Sequence, residues 1–585
     1  MQISRSGARI LVLALAVLAV AVPAAQAAPK NKDVSVQLLG INDFHGNLEP
    51  PMGSGGRIQE VPLGPQIDAG GAVFLATQLR ELRQQNPNTL TVSAGDLIGA
   101  SPLLSALFHD EPTIEAMNEM GLDLNAVGNH EFDEGVTELL RMQSGGCGPE
   151  NSCPQGTFGG ADFGFLAANV VYRDTGEPIF PPYAIRKFGN IKVGFIGMTL
   201  EGTPDIVSAS GIQDVTFLDE AETANKYAAE LRNEHGVRAI VVLLHEGGTP
   251  SPFAGIDACN VAGPITDIVD RTSDAVDLFV TGHTHQPYIC TAGNNSLIDG
   301  RPVTSASSFG RLVTNIGFTL DGNTKDIESV TADNTIVRRT LPVAQDIQQL
   351  INSFKTLADP IANERVGRIS ADIPRETTPT PPGPLGLNPL GYLIADAQLA
   401  DTDDADRGDA DIALMNPGGV RADLTFASSP AGEGDGVVTY GEAFSVQPFN
   451  NIVVTQTFSS AQILDVLKDQ WCSGPRTVLL PSALTYTYDQ SDAAALNGVP
   501  CSPSVPSPVS DVRINGVPLD PAGMYRVTTN NFLADGGDSF ASLRAGTNRT
   551  SLPDFDVDSL VRYLEPTLTG APIGPPPLNR ITVVP

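Results

Sequence analysis

The sequence predicts a layered α/β protein whose polar side chains gather at the ends of its strands. Short apolar runs with strand character occur at Val34 to Ile41, Leu90 to Ala94 and Ala239 to Leu244. A stretch with apolar residues at helical spacing, Ala72 to Leu82, lies between the first two runs. Because layered sheets built from alternating strands and helices carry their sites at strand ends, we expect a site where these runs finish.

Further elements follow the same pattern through the first half of the chain. The runs Leu124 to Val127, Ile191 to Gly197 and Asp277 to Val280 are also predicted to be strands, and Thr113 to Met120 is predicted to be helical. The run Asn315 to Leu320 is followed by Asp-Gly, which predicts a hairpin that closes this half of the protein.

A chain of 585 residues is too long for one core, so we expect at least two large domains. The polar segment Gln345 to Ala358 is compatible with a helix and is interpreted as the linker between them, and the proline-rich stretch Ala371 to Pro389 is predicted to be a loop. The second domain is predicted to contain strands at Ile412 to Met415 and Ile452 to Thr455, a helix at Ser460 to Trp471 and a hairpin at Asn515-Gly516.

The first residues have the pattern of a secretory signal. Arg5 and Arg9 supply its positive start, Ile10 to Val22 its apolar core, and a small-residue cleavage zone follows Pro23. The apolar core is too short for a membrane span, and no later segment is long and apolar enough to cross a bilayer. We therefore expect a signal peptide at residues 1–28 and an exported, soluble protein in the extracellular space or the periplasm.

The cysteines fit an oxidising compartment. The chain has six, they fall in neighbouring pairs, and none lies in a CxxC motif. We expect disulfides that join Cys147 to Cys153, Cys259 to Cys290 and Cys472 to Cys501. The formal net charge of −32 predicts repulsion of nucleic-acid polymers, except where a metal or an arginine inverts the local field.

The histidines are not scattered as surface histidines would be. The chain has seven, and five of them follow strand-like runs beside Asp, Asn or Glu. His283 and His285 are two residues apart after such a run, so both rings can face one site. A single histidine of this kind is usually a satisfied core or loop residue, but five in matched contexts favour a metal centre.

The polar residues at the strand ends form one candidate ligand set. Imidazole, carboxylate and amide oxygen suit divalent ions such as Zn²⁺ or Mn²⁺, and seven ligands are too many for one ion and about right for two that share a carboxylate. Paired metals clamp the attacking and leaving oxygens of an in-line displacement, typically at phosphorus. The candidate ligands are Asp43, His45, Asp96, Asn129, His245, His283 and His285.

These blocks resemble the signature of calcineurin-type metallophosphoesterases, and the second half of the chain resembles the second domain of 5′-nucleotidases. The first resemblance rests on Asp43-x-His45, Gly95-Asp96, Gly128-Asn-His-Glu-Phe-Asp133, His245 and Gly282-His-x-His285. The second rests on Asn416-Pro-Gly-Gly-Val-Arg421, Phe449-Asn-Asn451 and Asn531-Phe-Leu-Ala-Asp-Gly-Gly-Asp-Ser-Phe540.

The resemblance implies the family of secreted bacterial 5′-nucleotidases and UDP-sugar hydrolases, and with it a fold and a set of domains. A four-layer αββα metallophosphoesterase domain would span residues 34–338, a linker helix 339–365, and an α+β nucleotide-binding domain 366–585. The implied reaction releases phosphate from nucleoside 5′-monophosphates by in-line attack of a metal-bound hydroxide. Monomer and dimer both stay open.

The resemblance also implies a role for each matched residue in the metal domain. One ion would take Asp43, His45, Asp96 and His285, and the other would take Asp96, Asn129, His245 and His283, with Asp96 as the bridge. His130 would stabilise the transition state and Asp133 would hold His130.

In the second domain, Phe449 and Phe532 would sandwich the base, and Arg421 would grip ribose or phosphate. Asn416, Gly418 and Asp538 would position the nucleoside. Without the resemblance, core packing would be the favoured interpretation of both phenylalanines. The chain departs from the family pattern at Leu387 to Tyr392, and only Arg375 offers a second phosphate-binding arginine.

Other functions compete with the first. The same metal site could act on 2′,3′-cyclic nucleotides, on nucleoside di- or triphosphates, or on UDP-sugars. A catalytically silent extracellular binding protein on this fold would have lost ligands, whereas every ligand position is filled here. The chain has no G-x-S-x-G elbow of a serine hydrolase and no Walker A lysine loop of a P-loop enzyme.

Overall fold

The computed structural model describes residues 32–584 except 52, 63, 149–152, 154, 252–254, 295–296, 376–387, 430–431, 473–476, 497–498 and 503. The predicted signal peptide lies outside the described residues. Two six-stranded sheets dominate the first half of the chain, as the alternation of strands and helices predicts.

In the first sheet, the central strand Val34–Ile41 pairs in parallel with Thr89–Ser93 and antiparallel with Leu312–Leu320. The full strand order is Ile327–Ile336, Leu312–Leu320, Val34–Ile41, Thr89–Ser93, Leu124–Ala126 and Gly164–Leu166. The hairpin predicted at Asp321 joins the two antiparallel strands of this sheet.

In the second sheet, Ala239–His245 pairs in parallel with both of its neighbours, Ile191–Thr199 and Leu278–Thr281. The full order is Pro287–Cys290, Val303–Ala306, Leu278–Thr281, Ala239–His245, Ile191–Thr199 and Tyr183–Phe188. Parallel central strands in both sheets place their carboxyl ends at one edge, where the polar residues of the sequence motifs follow.

The two sheets face each other across an apolar layer and carry helices on their outer faces. Val36 and Leu38 of the first sheet pack with Val241 and Leu243 of the second, and all four are fully buried. Outside the first sheet lie the helices Ala72–Arg83, Leu103–Ala106, Glu111–Met120 and Gly135–Ser144; outside the second lie Glu220–Asn233 and Pro264–Arg271. The resulting layers are helix, sheet, sheet and helix, which confirms the four-layer αββα arrangement.

The predicted linker helix is present and runs from Gln345 to Ala362. Its apolar face, formed by Ile347, Ile351, Phe354 and Ala358, is buried against the helices outside the first sheet. The helix is therefore part of the first core rather than a free connector.

The second half of the chain contains two mixed sheets and confirms the α+β class of the second domain. The larger sheet has the order Leu480–Ser482, Ile412–Met415, Met524–Asn530, Ile452–Ser459 and Thr547–Phe555, and the smaller has Val517–Pro518, Val509–Ile514, Leu484–Asp489 and Ile581–Val584. Its helices are Pro389–Thr402, Tyr440–Val446, Ser460–Asp469, Gln490–Ala495, Asn531–Ala534 and Asp556–Leu564. Short two-stranded sheets pair Arg57–Gln59 with Gln66–Asp68, Val170–Tyr172 with Val215–Phe217, Thr249–Pro250 with Val261–Ala262, and Arg365–Arg368 with Val437–Thr439.

Several boundaries differ from the sequence predictions by a few residues, and two of them concern Pro389 and Trp471. Pro389 does not end a loop but begins a helix, because proline suits the first helical position and Asn388 accepts the N–H of Gly391 as the cap. The helix predicted to reach Trp471 ends at Asp469. Trp471 itself is buried against Tyr488.

All three expected disulfides are present: Cys147–Cys153, Cys259–Cys290 and Cys472–Cys501. Within the described part of the chain, no helix has both the length and the apolarity needed to cross a membrane.

Candidate active site

The seven candidate ligands come together at the carboxyl ends of the two sheets. Their side chains form two groups, Asp43 with His45 and His285, and Asp96 with His245 and His283. Asn129 joins the second group, because its side-chain oxygen lies 3.2 Å from His245 Nε2 and 3.0 Å from His283 Nδ1. Each group draws residues from both sheets.

Asp96 lies between the two groups. Its Oδ2 atom is 3.0 Å from His245 Nε2 in one group and 3.6 Å from His45 Nε2 in the other. Its Oδ1 atom accepts the backbone N–H of His130 at 2.9 Å. One carboxylate oxygen is thus directed at both groups, which is the geometry that a bridging ligand requires.

The backbone at these positions is strained. Positive φ is uncommon for a residue other than glycine and costs about 1–3 kcal/mol. The candidate ligands with φ between 47° and 71° are Asp43, His45, Asp96, His283 and His285. Strain concentrated in the loops at the strand ends is typical of a functional site that the surrounding structure holds in place.

Two glycines of the sequence motifs make room for this packing. A Cβ atom on Gly95 would lie 2.6 Å from His245 Nδ1, and one on Gly128 would lie 2.1 Å from Asp96 Oδ1. Both distances are far below contact, so these positions exclude any larger residue while the candidate ligands keep their places.

The donor set fits divalent cations. His45 Nδ1 donates to the carbonyl of Gly99 and His245 Nδ1 to that of Ala94, so the Nε2 atom of each neutral ring can act as a ligand. Burial lowers the pKa of His245, but the charge and hydrogen bond of Asp96 outweigh it and raise the pKa to about 10. A proton on this ring balances buried carboxylates, and a metal ion can take its place.

His130 and Asp133 lie beside the two groups. His130 Nδ1 donates to Asp133 Oδ2 at 2.9 Å, and Asp133 Oδ2 also accepts the N–H of Ala100 at 3.0 Å. Burial opposes the charged form of His130, but Asp133 and Asp96 outweigh it and raise the pKa of the ring. A charged, oriented imidazole is suited to stabilising negative charge on a phosphoryl group or donating a proton to a leaving group.

Glu131 has a structural role that the sequence did not indicate. Its buried carboxylate accepts the backbone N–H groups of Asp96, Leu97 and Gly128 at 2.9, 3.0 and 2.6 Å, and the side-chain amide of Asn125 at 3.2 Å. It ties the loop of Asp96 to the loop of Asn129. Glu131 is part of the Asn-His-Glu motif, but only the fold shows which N–H groups its carboxylate accepts.

A cavity of about 210 Å³ lies between the metal-domain loops and the second half of the chain. All six residues expected to bind substrate line it: Asn416, Gly418, Arg421, Phe449, Phe532 and Asp538. Asn129, His130, Asp133 and His283 line the same cavity. The structure thus brings the candidate metal site and the candidate substrate residues to one place.

The polar residues of this cavity are connected to each other. Asn416 donates to Asp538 Oδ2 at 2.8 Å and accepts from the side-chain amide of Asn530 at 3.1 Å. The guanidinium of Arg421 lies over the ring of Phe449, 5.5 Å from its centroid. Phe449 and Phe532 are half-buried, and Phe532 also packs on the second-domain core.

One wall of the cavity consists of residues that the sequence did not predict to line it. Ile206, Val207 and Ser208 of the first half of the chain line it opposite the second domain. The backbone N–H of Asp538 donates to the carbonyl of Asp205 at 2.9 Å, which joins the two halves beside this wall. No local sequence pattern identifies residues 205–208, because they line the cavity only where the second domain packs against them.

Comparisons with known proteins agree with this architecture. Residues 36–287 match the family model of the calcineurin-like phosphoesterases, and residues 365–545 match that of the 5′-nucleotidase C-terminal domain. The chain is 34% identical over 560 residues to the cell wall protein Lmo0130 of Listeria monocytogenes, covering 91% of this chain and 67% of that protein.

Two further similarities extend over most of the chain. It is 30% identical over 557 residues to the endonuclease YhcR of Bacillus subtilis, which covers 92% of this chain but only 40% of YhcR. The crystal structure of a 5′-nucleotidase precursor from Thermus thermophilus has the same fold, with a TM-score of 0.72 and 24% identity over 94% of this chain and 99% of that one.

Proposed function

The chain belongs to the 5′-nucleotidase family of calcineurin-like phosphoesterases and is a phosphoric monoester hydrolase, and from that premise we propose that it dephosphorylates nucleoside 5′-monophosphates outside the cytoplasm. The observation that carries the proposal is the shared cavity. Candidate metal ligands form one side of it, and two aromatic rings of the second domain line the other.

The aromatic side supports a nucleotide over other phosphate esters. A metal site can recognise only the phosphoryl group, so selection of a nucleotide must come from contacts remote from phosphorus. Phe449 and Phe532 both line the cavity, and flat rings hold a base by stacking. Asp538 accepts from Asn416 and lines the same cavity, which supports a role for its carboxylate in accepting hydrogen bonds from ribose hydroxyls.

The residues of the metal side divide the remaining work. The two groups would hold two divalent cations, with Asp96 as a ligand in both, and the bound ions would supply Lewis acidity. His130, held by Asp133, stabilises negative charge that develops on the phosphoryl oxygens or protonates the leaving oxygen. Arg421 adds a positive charge beside Phe449 for the phosphate or the ribose.

Export is supported by independent features. The three disulfides need an oxidising compartment, and one relative is a cell wall protein by name. A signal-like sequence at residues 1–28 agrees with both.

The experiment that tests the function uses purified protein reconstituted in turn with Zn²⁺, Mn²⁺ and Mg²⁺. Product formation is quantified by chromatography, with released phosphate measured beside it, for AMP, UMP, a 2′,3′-cyclic nucleotide, ADP, a UDP-sugar and p-nitrophenyl phosphate. We expect the 5′-monophosphates to have the highest kcat/KM. A preference for p-nitrophenyl phosphate over every nucleotide would contradict the proposal.

A further inference from the structure

A second and larger cavity, of about 900 Å³, borders the other end of the candidate metal site. The base cavity is bounded by Asn129 and His283 of one ligand group, whereas this one is bounded by His285 of the other. His285 is also the most exposed member of its group. Its side chain is 26% exposed, whereas that of Asp43 is 0% and that of His45 is 1% exposed. A ligand can therefore reach the metal site from both cavities.

A phosphate monoester does not need the second cavity. A monoester carries one organic substituent on phosphorus, and the base cavity already receives it in the proposed function. A phosphodiester carries two, and the second must find space on another side of the phosphorus atom. The large cavity beside His285 provides that space.

Three arginines and three aspartates line this cavity, and Arg311 is the arginine that is linked to His285 through Ser307. Among the described residues, the acceptors of the Arg311 guanidinium are all neutral oxygens: the carbonyls of Ser308 and Arg57 at 3.1 Å each, and the hydroxyls of Ser307 and Ser308 at 3.0 and 2.6 Å. No ion pair among the described residues involves it. Four hydrogen bonds thus hold the guanidinium in place, and no carboxylate in the described part of the chain pairs with it.

The guanidinium lies close to the candidate metal site. The Ser307 hydroxyl that accepts from Arg311 donates in turn to the carbonyl of His285 at 2.9 Å. The Arg311 guanidinium also lies 5.4 Å from the ring centroid of Phe309, and that ring contacts the ring of His285. One hydroxyl and one aromatic ring separate the charge from the first ligand group.

Each acidic residue that lines the cavity has a hydrogen-bond or ion-pair partner. Asp68 pairs with Arg57, Asp372 accepts the N–H of Phe426, and Asp423 accepts the N–H of Arg375. Burial lowers the pKa of Arg311 to about 10, and the charge of Arg375 contributes, so a second arginine lies near the first. The same charge lowers the pKa of Arg421 in the base cavity, after burial. Arg375 therefore lies near both Arg311, in the larger cavity, and Arg421, in the base cavity.

We propose that Arg311 and the cavity beside it form a second anion subsite, which holds the far substituent of a phosphodiester when that substituent carries a phosphate of its own. The inference rests on the proposed function for the base cavity and adds a substrate class to it. Hydrolysis of such a diester forms one P–O bond to the oxygen of water and breaks one P–O ester bond. One proton of the water goes to the departing oxygen, and the other is released from the new phosphate monoester.

The test compares three adenosine substrates on the metal-reconstituted full chain: AMP, the dinucleotide ApA, and pApA, which carries a 5′-terminal phosphate. AMP hydrolysis tests the function proposed above. The subsite is tested by the ratio of kcat/KM for pApA to that for ApA, where only cleavage of the internal phosphodiester bond is counted, by chromatography of the mononucleotide products, because the 5′-terminal phosphate of pApA is itself a monoester. A hydrogen bond to a charged group gives about a tenfold preference or more. We expect the wild type to favour pApA by about tenfold.

Variants assign that preference to the subsite. Arg311→Gln removes the charge and should reduce the ratio to about one with AMP hydrolysis within about twofold. Arg338→Gln is the matched control, because Arg338 pairs with Glu60 and does not line the cavity. A wild-type ratio near one, an unchanged ratio in Arg311→Gln, or an equal loss in Arg338→Gln would each overturn the subsite.

The substitution Arg311→Gln could disturb His285, because Ser307 hydrogen-bonds to both residues. A second pair of variants therefore leaves Arg311 unchanged. Ala427 is an exposed residue on the second-domain wall of the cavity and makes no side-chain hydrogen bond. Ala427→Glu adds a negative charge there, and Ala427→Gln adds the same bulk without it. We expect the glutamate variant alone to lose the preference for pApA. Equal ratios in the two variants, or equal losses on AMP and pApA, would reject the proposal.

Discussion

The ring of Phe449, from the second domain, stacks on the ring of His130, from the metal domain, with centroids 5.6 Å apart and planes inclined by 23°. The residue proposed to hold the base therefore touches the residue proposed to act on the phosphoryl group. Phe532 lines the same cavity, and no contact between its ring and His130 is present among the described residues. The two phenylalanines should consequently respond differently to truncation.

Phe532→Ala should raise KM for AMP about five- to 150-fold, since stacking on a base is worth about 1–3 kcal/mol. Its kcat for p-nitrophenyl phosphate, which has no nucleobase, should stay near that of the wild type. Phe449→Ala should raise KM for AMP similarly and also lower kcat on both substrates, because it removes the ring that packs on His130. Steady-state kinetics of both variants on both substrates measure this. Equal losses on the two substrates in Phe532→Ala would make that ring ordinary core.

His130→Ala should keep both metals and lower kcat by about 10²–10⁴, the range for a positioned proton donor. The backbone N–H of residue 130, which donates to Asp96, remains in the variant, so the proposed bridge keeps this hydrogen bond. Elemental analysis and kinetics on the same preparation separate the two effects. A variant that loses metal would make His130 a ligand instead.

The sequence predicted the ligand cluster because each ligand follows a strand, and the strand ends of parallel sheets share an edge. Asp43 and Asp96 come shortly after the strands Val34–Ile41 and Thr89–Ser93, and His245 is the last residue of Ala239–His245. Their left-handed φ values and the sharing of Asp96 Oδ2 between groups depend on how the two sheets pack, which no local pattern encodes.

The parts that sequence reasoning missed are those created between the domains. Residues 206–208 become a cavity wall only because the second domain lies against them. Arg311 lies in the turn between the strands Val303–Ala306 and Leu312–Leu320, and nothing in the local sequence indicates that two serine hydroxyls and two backbone carbonyls hold its guanidinium. Pro389 was misassigned because proline suits both a loop and the first turn of a helix.

Asp96→Asn should reduce the metal content of both groups and abolish phosphate release. One oxygen of Asp96 lies near a histidine of each group, and an amide is a weaker, neutral ligand for a divalent ion. Metal content by elemental analysis, measured beside activity, tests the bridge. Asp133→Asn is the control for metal content, because Asp133 contacts His130 and not the ligand groups. Full metal content at the wild-type rate in Asp96→Asn would refute the bridge.

Glu131→Gln should destabilise the protein by about 1–3 kcal/mol and lower activity, although Glu131 is not a candidate ligand. Its two oxygens accept four N–H groups, and the amide of glutamine would turn an N–H donor towards two of them. Denaturant unfolding of this variant beside Glu134→Gln, at an exposed neighbouring position, measures the cost. Wild-type stability in Glu131→Gln would mean that the two loops hold their places without it.

Asp277→Asn should flatten the pH dependence of stability. Burial raises the pKa of Asp277, the N–H of Ile240 lowers it in part, and the charge of Asp326 raises it further, to about 8. The fold therefore favours the protonated form, so its contribution is fully present below pH 3.8 and is lost as the pH rises towards 8. Asparagine resembles that form at every pH, since its oxygen can accept from Ile240 and its amide can donate to Asp326.

We expect the apparent Tm of the Asp277→Asn variant to fall less than that of the wild type between pH 5 and 9, by about 2–4 °C for each kcal/mol of stability involved. Asp270→Asn, on the exposed face of the helix Pro264–Arg271, is the control and should track the wild type. Parallel Tm profiles for Asp277→Asn and the wild type would show that this carboxyl group does not titrate differently in the folded and unfolded protein.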